Sequence, residues 1–95
     1  MKVYWTDRAL AHLQAIHDYI AHTSPDYAQR TVDRLTRRSE QMGTFPYAGR
    51  RVPEFDRDAI REVLEGSYRI IYGIKSDQID VLAVLHGSRK ILLDE

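Results

Sequence analysis

The stretch IREVLEGSYRIIYGIK, residues 60–75, decides the fold. It holds two runs rich in β-branched and aromatic residues, Ile60–Glu65 and Tyr68–Lys75, on either side of Gly66-Ser67. A two-residue connection with glycine first is typical of a tight β-hairpin turn. A third such run, Gln78–His86, follows after another short connection. Because short connections join antiparallel neighbours, the sequence predicts a three-stranded antiparallel meander.

The N-terminal half predicts one strand and two helices. Lys2–Trp5 is a short run of strand-forming residues. Thr6 can cap a helix that runs to about His22, because apolar residues then recur at helical spacing. Ser24-Pro25 is a capping residue followed by proline, which starts a second helix, and Gly43 is predicted to end it. The short connection predicts an antiparallel helix hairpin.

Residues 44–59 contain two prolines and lack clear periodicity, so they are interpreted as a long loop. A chain of 95 residues suffices for one hydrophobic core. We therefore expect residues 1–95 to form one α+β domain. Its predicted order is N-terminal strand, antiparallel two-helix hairpin, loop and three-stranded antiparallel meander, with the helices on one face of the sheet.

The second face of this sheet presents an open question. Strict alternation along the strands places Ile71, Leu82 and Val84 on the face opposite the helices, together with Arg69 and His86. Two helices can cover one face of a small sheet but hardly both. The sequence leaves two alternatives for the second face: a partner chain covers it, or the long loop folds over it.

Composition excludes several classes of protein. The 14 basic and 14 acidic residues give a formal net charge of +0, which is not typical of a strongly basic nucleic-acid binder. Without cysteine, a disulfide framework and a thiolate metal site are both excluded. The first residues lack the apolar segment of a signal peptide, and the longest apolar run, Val81–Leu85, is too short to cross a bilayer. We expect a cytoplasmic protein with no membrane partner.

Four motifs follow one another at workable spacing: Gly49-Arg50, Val52-Pro53-Glu54-Phe55, Tyr68-Arg69-Ile70-Ile71-Tyr72 and His86-Gly87-Ser88-Arg89. This series resembles the RelE/ParE superfamily of type II toxin–antitoxin systems and is most similar to its ParE branch. The resemblance extends over essentially the whole chain. It implies a toxin that is neutralised by a cognate antitoxin from the same operon, whose C-terminal segment wraps the toxin.

The resemblance implies two possible activities, because ParE-like members poison DNA gyrase whereas RelE-like members cut mRNA in the ribosome. RNA cleavage needs a base, an acid and positive charge at the phosphate. By position, Arg69 and Arg89 match two arginines of the RelE branch. The lysines that this branch carries on the preceding strand are absent here, where Glu62 and Glu65 stand instead. The segment 90–95 also lacks the tyrosine of that branch.

We therefore expect a ParE-like inhibitor of DNA gyrase that is not a nuclease. The alternative is a RelE-like mRNA endonuclease in which Arg69 and Arg89 stabilise the phosphate and His86 transfers protons, with Glu62 converging on them. A second alternative is a non-toxic binding partner of the antitoxin. No cofactor or metal, and no sequence-specific nucleic-acid binding by this chain, is expected.

The expected contact residues form two groups. The gyrase surface is predicted at the end of the last strand, at His86, Ser88, Arg89 and Lys90. The antitoxin is predicted to contact the second face of the sheet and the basic side of the second helix, at Arg61, Arg69, Ile71, Leu82, Val84, Arg34 and Arg38. The first helix carries His12, His17 and His22 at intervals of five, which do not suit zinc ligands, so all three are expected to be solvated.

Overall fold

A computed structural model of the chain describes residues 1–89. Its elements are strand β1 (Lys2–Trp5), helices α1 (Asp7–Ala21) and α2 (Pro25–Thr44), and strands β2 (Arg50–Arg51), β3 (Ile60–Glu65), β4 (Tyr68–Ile74) and β5 (Gln78–His86). These bounds confirm the predicted α+β class. The strands form one sheet in the order β1-β5-β4-β3-β2, in which β1 pairs parallel to β5 and the other neighbours are antiparallel.

The predicted meander and helix caps are confirmed. Gly66 has a φ of 57°, the left-handed conformation that the first position of the β3–β4 turn requires. The Thr6 hydroxyl accepts a hydrogen bond from the Ala9 amide, and Ser24 caps α2 in the same way through the Tyr27 amide. Each bond satisfies one of the amides that the first turn of a helix leaves unpaired.

Gly43 has a different role from the predicted one, since α2 continues through it to Thr44. The N-terminal amino group of Met1 donates to the Gly43 carbonyl over 2.9 Å, and a Cβ at Gly43 would collide with the Met1 carbonyl. This glycine therefore allows the start of β1 to approach the end of α2.

The predicted loop was wrong at one point, because Arg50–Arg51 form the edge strand β2 against β3. Two arginines show no apolar alternation, so the sequence pattern could not reveal this strand. The buried Tyr72 hydroxyl holds the loop before it, donating to the Pro46 carbonyl over 2.7 Å and accepting from the Gly49 amide over 3.2 Å. Burial raises the pKa of Tyr72 and keeps this hydroxyl protonated.

Both faces of the sheet are covered by apolar packing. The helices pack on a core that includes Leu35, Ile70 and Tyr72. On the second face, Val52 and Phe55 of the loop pack against Ile71, Ala83 and neighbouring residues. Of the two alternatives for this face, the loop is the one observed.

A β-bulge in β5 changes which side chains face the helices. Ile71 pairs with Ala83 but the next residue, Tyr72, pairs with Val81, so Leu82 is an extra residue. Beyond the bulge the alternation reverses. Val84 therefore lies in the core beneath the helices, and the prediction that it lies on the second face was wrong.

Candidate functional site

Arg69 is the centre of an ion-pair cluster on the second face of the sheet. Its Nη1 and Nη2 donate to the two carboxylate oxygens of Glu54 over 2.9 and 3.0 Å, and its Nε donates to Glu62 over 2.7 Å. These hydrogen bonds to Glu54 and then Glu62 raise the pKa of Arg69, against the lowering effect of burial. The bidentate geometry is among the strongest that a guanidinium makes with a carboxylate.

Glu62 is the buried anion of the cluster, with a side chain that is 0% exposed against 6% for Arg69. Its other carboxylate oxygen accepts from Nε of Arg50, whose side chain is 60% exposed. Two arginines and two glutamates thus form a chain of alternating charge with a formal sum of zero. We name Arg50, Glu54, Glu62 and Arg69 the four-charge cluster.

Three strands and one turn bring the four-charge cluster together. Glu62 and Arg69 come from the paired strands β3 and β4, on which both side chains point to the second face. Arg50 pairs directly opposite Glu62 from β2. Glu54 lies in a tight turn in which Val52 accepts the Phe55 and Asp56 amides, and the packing of Val52 and Phe55 on the sheet positions it.

The cluster borders a shallow cleft of about 410 Å³ whose lining includes Arg50, Glu54, Arg69, Ser88 and Arg89. Arg69 also donates from Nη1 to the Arg89 carbonyl over 2.7 Å, which fastens the end of β5 to the cluster. The structure therefore brings the Arg69 guanidinium to the backbone of Arg89, whereas the nuclease hypothesis requires both guanidinium groups at one phosphate. It also places two carboxylates on Arg69, which oppose binding of a phosphate.

The nuclease alternative needs Glu62 and His86 to converge around Arg69, and the structure does not bring them together. His86 pairs with Tyr68, and their rings meet edge to face with centroids 6.1 Å apart. Tyr68 precedes Arg69 on the strand, so the two side chains point to opposite faces of the sheet. His86 is exposed and its Nδ1 lies 3.2 Å from the Ser88 hydroxyl, which is a local contact at the end of the strand.

A groove of about 590 Å³ runs between α1 and the ends of β4 and β5 on the helix side of the sheet. We name it the α1 groove and define it by Arg8, His12, Ile16, Tyr19, Tyr68 and His86; Arg89 also lines it. The predicted target residues His86 and Arg89 thus border a concave surface, together with residues of α1 that the sequence did not suggest. Lys90, the fourth predicted target residue, lies outside the described residues.

His12 is not the solvated residue that was predicted. It is half-buried, and its Nδ1 accepts a hydrogen bond from the Val84 amide over 3.2 Å, two residues after the bulge. Burial, followed by the charges of Arg8 and Arg89, lowers the pKa of His12. The accepting nitrogen must be unprotonated, so the hydrogen bond and the electrostatic surroundings both favour the neutral imidazole.

The residues predicted to bind an antitoxin do not form one surface. Arg69, Ile71 and Val84 are buried, and Leu82 is half-buried under the loop. Arg61 lies on the helix side, where it donates to the Gly49 carbonyl and covers the Tyr47 ring. Arg34 and Arg38 of α2 approach Glu65, with Nε–carboxylate distances of 3.3 and 3.8 Å.

Within residues 1–89, neither a metal site nor a membrane-spanning helix is found. No group of three or more histidine, cysteine or carboxylate side chains there is arranged to hold a metal ion. Over the same range, neither helix has the length and apolar character needed to cross a membrane.

Known proteins resemble this chain over most of its length. Residues 3–91 match the family model described as ParE toxin of type II toxin-antitoxin system, parDE. The chain is 34% identical over 88 residues to Toxin RelE2 of Caulobacter vibrioides, covering 93% of this chain and 97% of that protein. It is 30% identical over 91 residues to Putative toxin Y4kP of Sinorhizobium fredii, covering 94% and 91% respectively.

A solved structure described as the chromosomal ParDE TA system from P. aeruginosa has the same fold. It superimposes with a TM-score of 0.75 at 24% identity and covers 90% of this chain and 95% of its own. The family model and both relatives extend over nearly the whole chain, including the four-charge cluster and the α1 groove. The chain belongs to the ParE toxin family of type II toxin–antitoxin systems, within the RelE/ParE superfamily.

Proposed function

We propose that this toxin acts by inhibiting DNA gyrase and does not cleave mRNA. The observation that carries the proposal is the pairing of Arg69 with Glu54 and Glu62. An arginine that stabilises a phosphorane must offer its donors to phosphate oxygens. Here Nε, Nη1 and Nη2 all donate to carboxylates of the same chain.

Proton transfer is the second requirement of cleavage, and the residues near Arg69 do not supply it. Both carboxylate oxygens of Glu62 already accept hydrogen bonds from guanidinium groups of Arg50 and Arg69. His86, the other candidate for proton transfer, points to the opposite face of the sheet. An inhibitor that works by binding needs neither a base nor an acid, so the observed geometry suits it.

Purified antitoxin-free toxin should be tested in a gyrase supercoiling reaction and, in parallel, in a translation reaction programmed with mRNA. The expected result is loss of supercoiling with trapped DNA breaks and intact mRNA. Arg89→Ala should weaken the inhibition if the end of β5 contacts gyrase. Lys75→Ala, a change in an exposed β4–β5 turn, is the matched control. Cut mRNA together with normal supercoiling would refute the proposal.

A RelE-like nuclease is the second candidate, and the cleft beside Arg69 and Arg89 is the observation that favours it. Glu54 would then be a removable counter-ion. Glu54→Gln should increase mRNA cleavage by leaving Arg69 with one carboxylate partner in place of two, whereas a gyrase inhibitor should show no cleavage with or without the change.

Membership of the family implies a cognate antitoxin. Of the residues predicted to contact it, Arg34 and Arg38 retain partly exposed guanidinium groups, with 38% and 32% side-chain exposure. We propose that they pair with acidic residues of the antitoxin. Co-expression of an Arg34→Glu/Arg38→Glu toxin with its antitoxin tests this, because the tagged complex should dissociate at lower salt than the wild-type complex. An unchanged salt dependence would contradict it.

A further inference from the structure

The outer edge of β5 loses its strand neighbour partway along its length. β1 pairs with β5 as far as Trp5 opposite Val81, and the next residue, Thr6, caps α1. The Val81 carbonyl accepts from both the amide and the hydroxyl of Thr6, over 3.1 and 2.8 Å. Among residues 1–89, no strand pairs with this edge beyond Val81, although β5 continues to His86.

His12 of α1 lies where the next residue of a neighbouring strand would otherwise be. Its Nδ1 accepts the Val84 amide over 3.2 Å. Val84 is 2% exposed, and a buried amide without a partner is unfavourable. A side-chain nitrogen of the helix therefore replaces the backbone carbonyl that a longer β1 would have supplied.

The end of β5 is thus held from two sides. On the β4 side, the Gly87 amide donates to the Ser67 carbonyl over 2.7 Å, and Arg69 donates to the Arg89 carbonyl over 2.7 Å. On the α1 side, His12 provides the corresponding hydrogen bond. The two attachments together fix where His86 and Arg89 stand at the border of the α1 groove.

The surroundings of His12 oppose a positive charge on its ring. Burial, followed by the charges of Arg8 and Arg89, lowers the pKa of His12. A protonated ring carries a donor on both nitrogens, so it would face the Val84 amide with a second donor. α2 packs on another side of α1, beside Leu10 and His17. The titratable and charged groups that line the α1 groove with His12 are Arg8 and Tyr19 of α1, Tyr68 of β4, and His86 and Arg89 at the end of β5.

We propose that His12 is a positioning residue for the end of β5: the neutral ring holds residues 84–89 against α1, and protonation releases them on that side. The positioning role rests on the proposed function, in which the end of β5 contacts gyrase. The hydrogen bond itself does not depend on the target. The surface that carries His86 and Arg89 is therefore acid-sensitive through a residue that need not touch the target.

A pH titration of the antitoxin-free full chain, followed by nuclear magnetic resonance, tests the hydrogen bond directly. The Val84 amide shift should change with the same midpoint as the ring nitrogens of His12, below pH 6.5. The Gly87 amide should stay protected from hydrogen exchange over the same range, because its acceptor is a carbonyl. A Val84 shift that stays constant while His12 titrates would overturn the proposal.

Three variants separate the acceptor from the histidine ring. His12→Asn keeps an acceptor, so the Val84 shift should lose its pH dependence while its exchange stays slow. His12→Ala should speed exchange of the Val84 amide about tenfold at pH 7.5, because it removes the acceptor. His17→Asn is the matched control, since it removes a histidine of the same helix on the side away from β5. Equal effects of His12→Ala and His17→Asn on Val84 would contradict the assigned contact.

Gyrase supercoiling at pH 7.5 tests the positioning role. His12→Asn should inhibit like the wild type, whereas folded His12→Ala should need about tenfold more toxin, because the end of β5 has lost one attachment. If circular dichroism shows that His12→Ala is unfolded, His12→Leu takes its place, filling the same space without an acceptor. Inhibition by the acceptor-free variant at wild-type concentration would overturn the positioning role and leave the proposed function standing. If the wild-type toxin does not inhibit gyrase, the proposed function fails, and the titration still decides whether His12 holds β5.

Discussion

Replacing Arg69 by alanine should destabilise the protein by about 3 kcal/mol. The change leaves Glu62, whose side chain is 0% exposed, paired with the partly solvated Arg50, and it also removes the bidentate bond to Glu54. Breaking a buried ion pair by deleting one partner costs about 3–5 kcal/mol, because an uncompensated charge stays in the interior. The lower end applies here, since Arg50 continues to neutralise Glu62.

Urea unfolding, followed by Trp5 fluorescence and circular dichroism, measures this cost. For a slope of about 1.5 kcal/mol/M, a loss of 3 kcal/mol moves the midpoint down by about 2 M. The matched control is Lys75→Ala, which breaks the Lys75–Asp80 pair at 2.9 Å. The Lys75 side chain is 63% exposed, so the midpoint should hardly move. If Arg69→Ala unfolds at the wild-type midpoint, Arg69 is not a structural residue, and the main support for a non-nucleolytic toxin is lost.

Three further changes test other parts of the structure. Stability should fall as pH drops below about 6.5, because the lowered pKa of His12 means that the unfolded chain binds a proton more readily than the folded one. His12→Asn keeps an acceptor for the Val84 amide without titrating, so its melting temperature should differ less between pH 7.5 and 5.5 than that of the wild type. Equal differences in the two proteins would count against this role of His12. Tyr72→Phe should cost about 1–3 kcal/mol and speed hydrogen exchange at Gly49, since the Gly49 amide and the Pro46 carbonyl lose their partner; unchanged exchange would show that the hydroxyl does not hold the loop. Gly49→Ala should cost about 1–3 kcal/mol in urea unfolding, because a Cβ there would lie 2.5 Å from the Tyr72 hydroxyl and 2.6 Å from the Glu62 carbonyl. Gly73→Ala should be tolerated, since the atom nearest to a Cβ there is 3.6 Å away. Similar losses of stability in the two variants would disprove the packing argument.

The sequence predicted those parts of the fold that depend on local chemistry. Thr6 and Ser24 cap helices because their side chains reach amides three residues away, and Gly66 permits a tight turn through its positive φ. Both are interactions within a few residues, so their signals are visible in the sequence itself. The arrangement of strands β3, β4 and β5 followed from the same short-range evidence.

The rest depends on contacts between distant residues. The bulge at Leu82 reversed the alternation in β5, and no period-two pattern can locate an extra residue whose partner is on another strand. His12 was misjudged because its partner, the Val84 amide, is 72 residues away. The sequence does not predict the four-charge cluster for the same reason, because sequence spacing does not show that Glu54 and Glu62 meet at Arg69.

The parallel pairing of β1 with β5 has a consequence for biosynthesis. Residue 2 pairs with residue 78, so the first strand made must wait for the last one before it gains a neighbour in the sheet. Folding that depends on such distant contacts is slow compared with the formation of local hairpins or helices. During translation, α1 and α2 can form early, whereas the sheet beneath them is completed after β5 has left the ribosome. Chains that terminate before residue 78 therefore lack β5 and, with it, the strand that pairs with β1.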